Sequence, residues 1–179
     1  MTEQEFERKL IISNSECGEL LQYLSEHLKQ EKIMQINYYY DTSDFMLFNS
    51  RATLRVRQIE SMLKLQYKYN KNYSGDIRIS EEYSEKISEL PKTITVNGVE
   101  TQNIGFMLTE RINFSLENCI ISLDKNHYLG VVDFEIEVEG ESDLPDILKN
   151  LNFDISGAGK YSRFAEKLQN QGLKYEFQK

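Results

Sequence analysis

The run Asp133-Phe134-Glu135-Ile136-Glu137-Val138-Glu139 switches between acid and hydrocarbon at every residue. A period of two is the mark of a β-strand whose faces meet different surroundings. Here one face is wholly acidic and the other wholly apolar. The rhythm recurs along the chain. Glu5, Glu7 and Lys9 share a face, with Phe6 and Leu10 on the other. Arg55 and Arg57 alternate with Leu54 and Val56, and Lys64, Gln66 and Lys68 with Leu63, Leu65 and Tyr67. A face wetted only by solvent would mix Thr, Ser, Gln and Asn among a few charges. The density of both signs here points to strands built to hold something highly charged.

Strands are predicted at 4–13, 33–41, 52–59, 62–70, 76–84, 107–116, 118–125 and 129–140, separated by short connections that favour antiparallel pairing. A tight connection falls at Glu60-Ser61, and turns fall at Asn72 to Gly75 and between Asn126 and Gly130. Ser15 to Gln30 carries Leu20, Leu21, Leu24 and Leu28 at helical spacing, behind the potential caps Ser13 and Asn14. Thr42 to Ser50 reads as a turn or short helix. Asp143 to Leu151 reads as a short helix with Asp143 against its N-terminal dipole, and Lys160 to Gln171 as a final helix. Glu85 to Gly105 is mixed, with a short helical piece or two and a loop around Asn97-Gly98 expected. Eight strands can close a small barrel with room for a ligand. The expected fold is α+β: a single domain over 1–179, an eight-stranded antiparallel closed β-barrel with a charged lumen and helices packed against its apolar outside.

Composition narrows the function. The chain has 179 residues, 40% of them hydrophobic, enough for one sizeable core. No apolar run approaches the roughly 18–20 residues that span a bilayer. Glu3, Glu5 and Glu7 do not read as a secretory signal, and two cysteines, Cys17 and Cys119, fit a reducing compartment. A cytoplasmic location is therefore expected. The formal net charge of −8 argues against general nucleic-acid binding but allows a local basic pocket for a small anion.

On this parity the inward faces bring Glu5, Glu7, Glu82, Asp124, Asp133, Glu135, Glu137 and Glu139 together with Lys9, Arg55, Arg57, Lys64, Lys68, Arg78 and Arg111. A single Glu-x-Glu-x-Lys run is usually a solvated strand face, and the 133–139 run alone would pass for a solubilising edge strand. Their co-occurrence tips the balance, because withdrawing an ion from water costs on the order of several kcal/mol. Carboxylates two apart on a strand stand roughly 6.5–7 Å apart on one face, and the pairs Glu5/Glu7 and Glu135/Glu137 can converge on a hard cation such as Mg2+ or Mn2+. Arginine forks and lysine point charges suit phosphate. So many bases exceed the needs of a monophosphate and suit a tri- or polyphosphate. His127, read as lying in a turn, is a minor candidate at the tunnel mouth, and Tyr39 is a wall residue able to reach substrate.

These residues also resemble a known family. Glu5-Phe6-Glu7-Arg8-Lys9 resembles the N-terminal Glu-x-Glu-x-Lys signature of the CYTH superfamily, the triphosphate tunnel metalloenzymes. Tyr39-Tyr40-Asp41-Thr42, Leu54-Arg55-Val56-Arg57, Leu65-Gln66-Tyr67-Lys68, Leu108-Thr109-Glu110-Arg111, Leu123-Asp124, Asp133-Phe134-Glu135-Ile136-Glu137 and the pair Lys160 and Arg163 resemble its later segments in order. The resemblance implies an eight-stranded tunnel that binds a triphosphate and Mg2+ or Mn2+. It implies metal ligands among Glu5, Glu7, Asp124, Glu135 and Glu137. Phosphate ligands would be Lys9, Arg55, Arg57, Lys68, Arg111 and Lys160 or Arg163, and the catalytic set Glu5, Glu7, Lys9 and Glu137. Lys64 or Lys68, and Glu81 or Glu82, remain open alternatives. The expected activity is metal-dependent triphosphate hydrolysis, with an adenylyl cyclase or a non-catalytic polyphosphate- or nucleotide-binding protein as rivals. A small triphosphate is the expected partner, with no nucleic acid or membrane, and a homodimer is one open assembly.

Overall fold

A computed structural model describes residues 2–140, 146–149, 151 and 158–171. Its strands are β1 (Thr2–Ile12), β2 (Gln30–Asp41), β3 (Thr53–Ile59), β4 (Met62–Ser74), β5 (Ile77–Ile87), β6 (Thr93–Val96), β7 (Val99–Ser115), β8 (Ile120–Tyr128) and β9 (Val131–Glu139). The helices are α1 (Asn14–His27), α2 (Met46–Asn49) and α3 (Lys160–Asn170). The strand order β2-β3-β4-β5-β1-β9-β8-β7 is closed by pairing of β2 with β7, giving the eight-stranded barrel. Every pairing is antiparallel. Closure leaves no unpaired edge among the eight.

The apolar faces point outward, as the alternation required. Ile12, Phe114, Ile121, Leu123, Ile136 and Val138 form one buried cluster with Leu24 of α1, and Leu20, Leu21 and Leu28 pack at its edge. Burying each such side chain stabilises the fold by about 1.5–3 kcal/mol. α1 starts where the sequence allows. Ser13 Oγ accepts from Glu16 N–H at 3.2 Å, and Glu16 Oε2 accepts from Ser13 N–H at 2.7 Å, a reciprocal capping box. The helix ends at His27, earlier than its leucine spacing suggested, because β2 already begins at Gln30.

The opposite flank departs from expectation. The stretch 85–105 contains no helix. β5 runs on to Ile87, and Thr93-Ile94-Thr95-Val96 forms β6, which turns back at Asn97-Gly98 into a β7 that starts at Val99. Both turn residues have positive φ, +50° and +78°, the conformation for which an Asn-Gly pair is suited. Ile94 and Val96 then pack on Tyr40, Leu54 and Val56. A strand extension, not a helix, therefore covers this side of the barrel.

Two further corrections follow from the register. Asn126 is not in the last turn, which is Leu129-Gly130 with φ of +45° and +76°. Asn126 is fully buried within β8, accepting from Thr109 Oγ1 at 2.8 Å and donating to Asp133 Oδ1 at 2.9 Å. Of the helix expected at 143–151, the described residues show a 3-10 turn at Asp146–Leu148, and Asp143 lies outside them. α3 lies across one end of the barrel. Tyr161, Phe164, Ala165 and Leu168 pack on the inward-facing Tyr39, Met107 and Tyr128. Gly98→Val, which places a β-branched residue at positive φ, is expected to lower unfolding free energy by about 1–2 kcal/mol in urea titrations without changing far-UV circular dichroism.

Candidate functional site

Directly opposed residues on neighbouring strands share a face, so the register fixes what meets inside. Arg111 lies opposite Asp124, and Asp124 opposite Glu135. Lys9 lies opposite Glu137. The oxygens of Asp124, Glu135 and Glu137 come within 4.8 Å of one another, a spacing that fits one cation. The Lys160 ammonium from the first residue of α3 sits among them, 2.8 Å from Asp124 Oδ2, 2.9 Å from Glu137 Oε2 and in contact with Glu135 Oε1. Arg111 completes the cluster, donating from Nε and Nη2 to the two oxygens of Asp124 at 2.7 Å each and from Nη2 to Glu137 Oε2 at 2.9 Å. Arg163, one helical turn beyond Lys160, clamps Asp133 Oδ2 and Glu135 Oε2 at 2.8 Å each.

These contacts set the charge states. Burial disfavours ionisation of Glu137, but Lys160, Lys9 and Arg111 outweigh it and hold the carboxyl well below the usual carboxylate range. Asp124 is lowered likewise, by Lys160 and Arg111 against its own burial. Burial also opposes the charge on Lys160, and Asp124, Glu135 and Glu137 reverse that effect and raise its pKa.

A second group lines the β1–β4–β5 wall. Lys9 Nζ is 2.9 Å from Glu7 Oε2 and 3.5 Å from Glu137 Oε1. Lys68 contacts Glu5 and lies 3.5 Å from Glu82 Oε2, and Arg78 Nη1 is 3.6 Å from Glu7 Oε1. Glu5 also accepts from Ser80 Oγ at 3.2 Å. Arg55 Nε donates to Gln66 Oε1 at 3.0 Å. The open alternatives differ in placement. Lys68 is buried and Lys64 exposed, while Glu82 faces inward and Glu81 accepts from the exposed Asn70. Glu139 lies at the edge of the cluster, 3.6 Å from Arg111 Nη1, its pKa raised by burial and by Glu137. His127 is in β8, not a turn, and its Nε2 meets Glu110 Oε1 at 2.7 Å, away from the lumen acids.

These walls bound a cavity of about 680 Å³. Eight bases line it, Lys9, Arg51, Arg55, Arg57, Lys68, Lys71, Arg78 and Lys160, against three acids, Glu7, Glu137 and Glu166. Arg57 has no carboxylate within 4 Å among the described residues and donates only to Asn37 Oδ1 at 3.1 Å. Burial, Arg55 and Arg111 push its pKa down to about 10. Arg111, Asp124, Glu135 and Arg163 lie behind the lining, tied to one another and to Lys160.

Two contributors escaped the sequence reading. Asp41, quoted only as part of a motif, is fully buried. It accepts from Leu47 and Phe48 N–H at 2.9 Å each and from the Tyr161 hydroxyl, tying α2 to α3 beside Lys160. Lys71 enters the cavity at a β-bulge, where the β4–β5 register shifts between Tyr69 and Asn72 and Asn70 takes φ of +50°. Strict alternation from Lys68 would have placed Lys71 outside. Nothing in its local sequence marks the bulge beyond an Asn that tolerates the left-handed region.

A closed barrel with an ionic interior and an apolar exterior defines a tunnel protein, and comparison gives its family. The CYTH domain model matches residues 3–164, and the chain belongs to that family. Among curated proteins, no relative matches the sequence. Solved structures share the fold. HpAC1 from Hippeastrum, described as an adenylyl cyclase candidate with a dominant triphosphatase activity, has a TM-score of 0.69 at 22% identity, over 90% of this chain and 95% of that one. An adenylate cyclase candidate from Bacillus halodurans has a TM-score of 0.63 at 23% identity, over 96% and 91%. The PH1819 protein from Pyrococcus horikoshii has a TM-score of 0.65 at 18% identity, over 91% and 99%. No helix among the described residues is long and apolar enough to cross a membrane.

Removing Lys160 leaves three buried carboxylates short of a partner. Lys160→Met is expected to destabilise the protein by about 3–5 kcal/mol, read by urea unfolding at pH 7, with added Mn2+ restoring part of the loss. Mn2+ without effect would contradict a cation site at these acids.

Proposed function

We propose that the protein hydrolyses a triphosphate, inorganic or organic, with a bound divalent cation. One observation carries this reading: a chain of formal net charge −8 encloses a cavity lined by eight bases and three acids. Such an inversion of charge complements a compact polyanion, and the volume lies in the ordinary range for small-ligand pockets.

Lys9, Arg55, Arg57 and Lys68 bind phosphate oxygens directly from the cavity wall. Lys160 does so from its floor, and Arg111 and Arg163 hold the floor acids in place behind it. Glu5, Glu7, Asp124, Glu135 and Glu137 are the residues that would hold Mg2+ or Mn2+. They fit such an ion, being hard oxygen donors, and Glu7 Oε2 is a buried acceptor with no hydrogen bond of good geometry despite Lys9 at 2.9 Å. When bound, the ion neutralises phosphoryl charge and polarises its oxygens. The residues of this chain fix the substrate in line for attack by water and exclude bulk solvent, the two tasks that dominate phosphoryl transfer. Glu5, Glu7, Lys9 and Glu137 form the catalytic group. The dominant triphosphatase activity ascribed to HpAC1 supports hydrolysis. The description of two of these structures as adenylyl cyclase candidates makes cyclisation of ATP, with the ribose hydroxyl as nucleophile, the second reading.

Phosphate release from tripolyphosphate, thiamine triphosphate, ATP and long-chain polyphosphate, each with Mg2+ and with Mn2+, tests the proposal. Turnover is expected, abolished by chelator and reduced at least about 10²-fold in Glu7→Gln with circular dichroism unchanged. Cyclic AMP in place of phosphate and ADP would favour the cyclase. Normal turnover by Glu7→Gln would contradict the assignment of the acids.

A further inference from the structure

The eight barrel strands have no open edge, but the extension outside them does. Among the described residues β6 pairs with β7 alone. Its turn at Asn97-Gly98 has two residues, so Val96 and Val99 form a bonded pair and Ile94 and Thr101 the next. The Thr101 hydroxyl also donates to Ile94 O at 2.8 Å, on the β7 side. Thr93 and Thr95 therefore direct their N–H and C=O groups away from β7, and no backbone bond reaches those groups among the described residues. The strand is anchored. Ile94 and Val96 pack with Tyr40, Leu54 and Val56, and the Tyr40 hydroxyl donates to Pro91 O at 2.7 Å. Thr93-Ile94-Thr95-Val96 carries no charge, proline or bulge, the devices that usually close an exposed edge to pairing.

A second cavity, of about 310 Å³, lies beside this edge and shares no lining residue with the lumen. Leu65 of β4, Ile87 of β5, Glu89, Pro91, Thr93 and Ile94 line it, and the exposed Leu90 adjoins it in sequence. The charges on this face are mainly acidic. Glu89 is at the cavity, Glu85 lies opposite Leu65, and Glu100 lies opposite Thr95, all three exposed. Against them stands Lys92, next to Thr93. Further along the same face Tyr67 lies opposite Tyr83, and such rings accept a guanidinium.

We propose that the β6 edge is a docking site for an extended, basic segment of another protein. The segment adds a strand to β6, seats one apolar side chain in the outer cavity and sets Lys or Arg against Glu85, Glu89 and Glu100. Main-chain pairing supplies affinity, and the cavity and acids supply selection. A second copy of this chain suits the edge less well, because each copy carries a formal net charge of −8. The site lies outside the barrel and is independent of the chemistry proposed for the lumen.

Fluorescence anisotropy with a labelled peptide, Lys-Val-Arg-Leu-Arg-Val-Lys, tests it. Binding to the full chain is expected with a Kd on the order of 10–100 μM. The same peptide with Glu in place of Lys and Arg is expected to bind at least about tenfold more weakly. Two further forms carry N-methyl groups on alternate amides, one set facing β6 and the other facing solvent. One of the two is expected to lose about tenfold or more and the other to bind as the parent does. Thr95→Pro removes an outward donor at a position where an edge strand tolerates proline, and is expected to lose about fivefold or more with its melting temperature kept. Glu85→Lys/Glu89→Lys is expected to lose about tenfold. No binding by wild type, equal loss in both methylated forms, loss in neither, or unchanged binding by the double lysine variant would each overturn the proposal. If Thr95→Pro unfolds, the methylated pair decides. A dimer in sedimentation velocity that Thr95→Pro disperses would also overturn it, by giving the edge to a second copy.

Discussion

The ammonium of Lys160 enclosed by Asp124, Glu135 and Glu137 is the contact on which the remaining architecture depends. Three carboxylates from adjacent strands repel one another inside a closed barrel, and that repulsion grows as water is excluded. Lys160, Arg111 and Arg163 cancel it, and two of the three are on α3. The helix is therefore an electrostatic part of the barrel as well as an apolar lid resting on Tyr39 and Met107. Asp41 ties the same helix to the start of α2 through Tyr161, so the position of one ammonium is fixed from two directions. Buried ion networks rarely outperform hydrocarbon as a source of stability. One this extensive accords with the function proposed above, in which the charges would be oriented before a ligand arrives.

How much of this was legible in the sequence depends on whether alternation was kept. Glu135 and Glu137, Arg55 and Arg57, and Glu5 and Glu7 lie on uninterrupted strands, and parity alone placed them inside. The apolar positions between them announced the outer coat, and the leucines of α1 announced what covers part of it. Parity fails where the backbone departs from it. Lys71 is turned inward by a bulge whose only local sign is Asn70. The loop expected at Asn97-Gly98 is where the chain turns, but the residues flanking it, Thr93-Ile94-Thr95-Val96 and Val99 onward, are strands where short helical pieces were expected. Asn126 was read as a turn residue by type, yet a buried partner on each side, Thr109 and Asp133, makes an amide there a lumen residue. Asp41 belongs to the same kind of omission, since its role is visible only once α2 and α3 are brought together in space.

Family membership narrows the chemistry without fixing it. The structures that share this fold are below 25% identical, and their descriptions include adenylyl cyclase candidates and a dominant triphosphatase activity; a shared fold does not by itself decide between them. What particularises this chain is the distribution of uncompensated charge. Arg57 within, and Arg51 and Lys71 toward the rim, are the cavity bases with no carboxylate within 4 Å among the described residues. They mark where an incoming anion would gain most, while the paired bases between them can exchange a carboxylate for a phosphate oxygen at smaller net gain.

A crystal structure with a non-hydrolysable triphosphate analogue and Mn2+, with the metal located by its anomalous signal, bears most directly on the barrel interior as the working site. Mn2+ within coordination distance of Glu7 and Glu137, with phosphorus positions against Arg57 and Lys68, is the result this account requires. An interior still filled only by its own ion pairs, with metal and analogue on the outer surface, would contradict it.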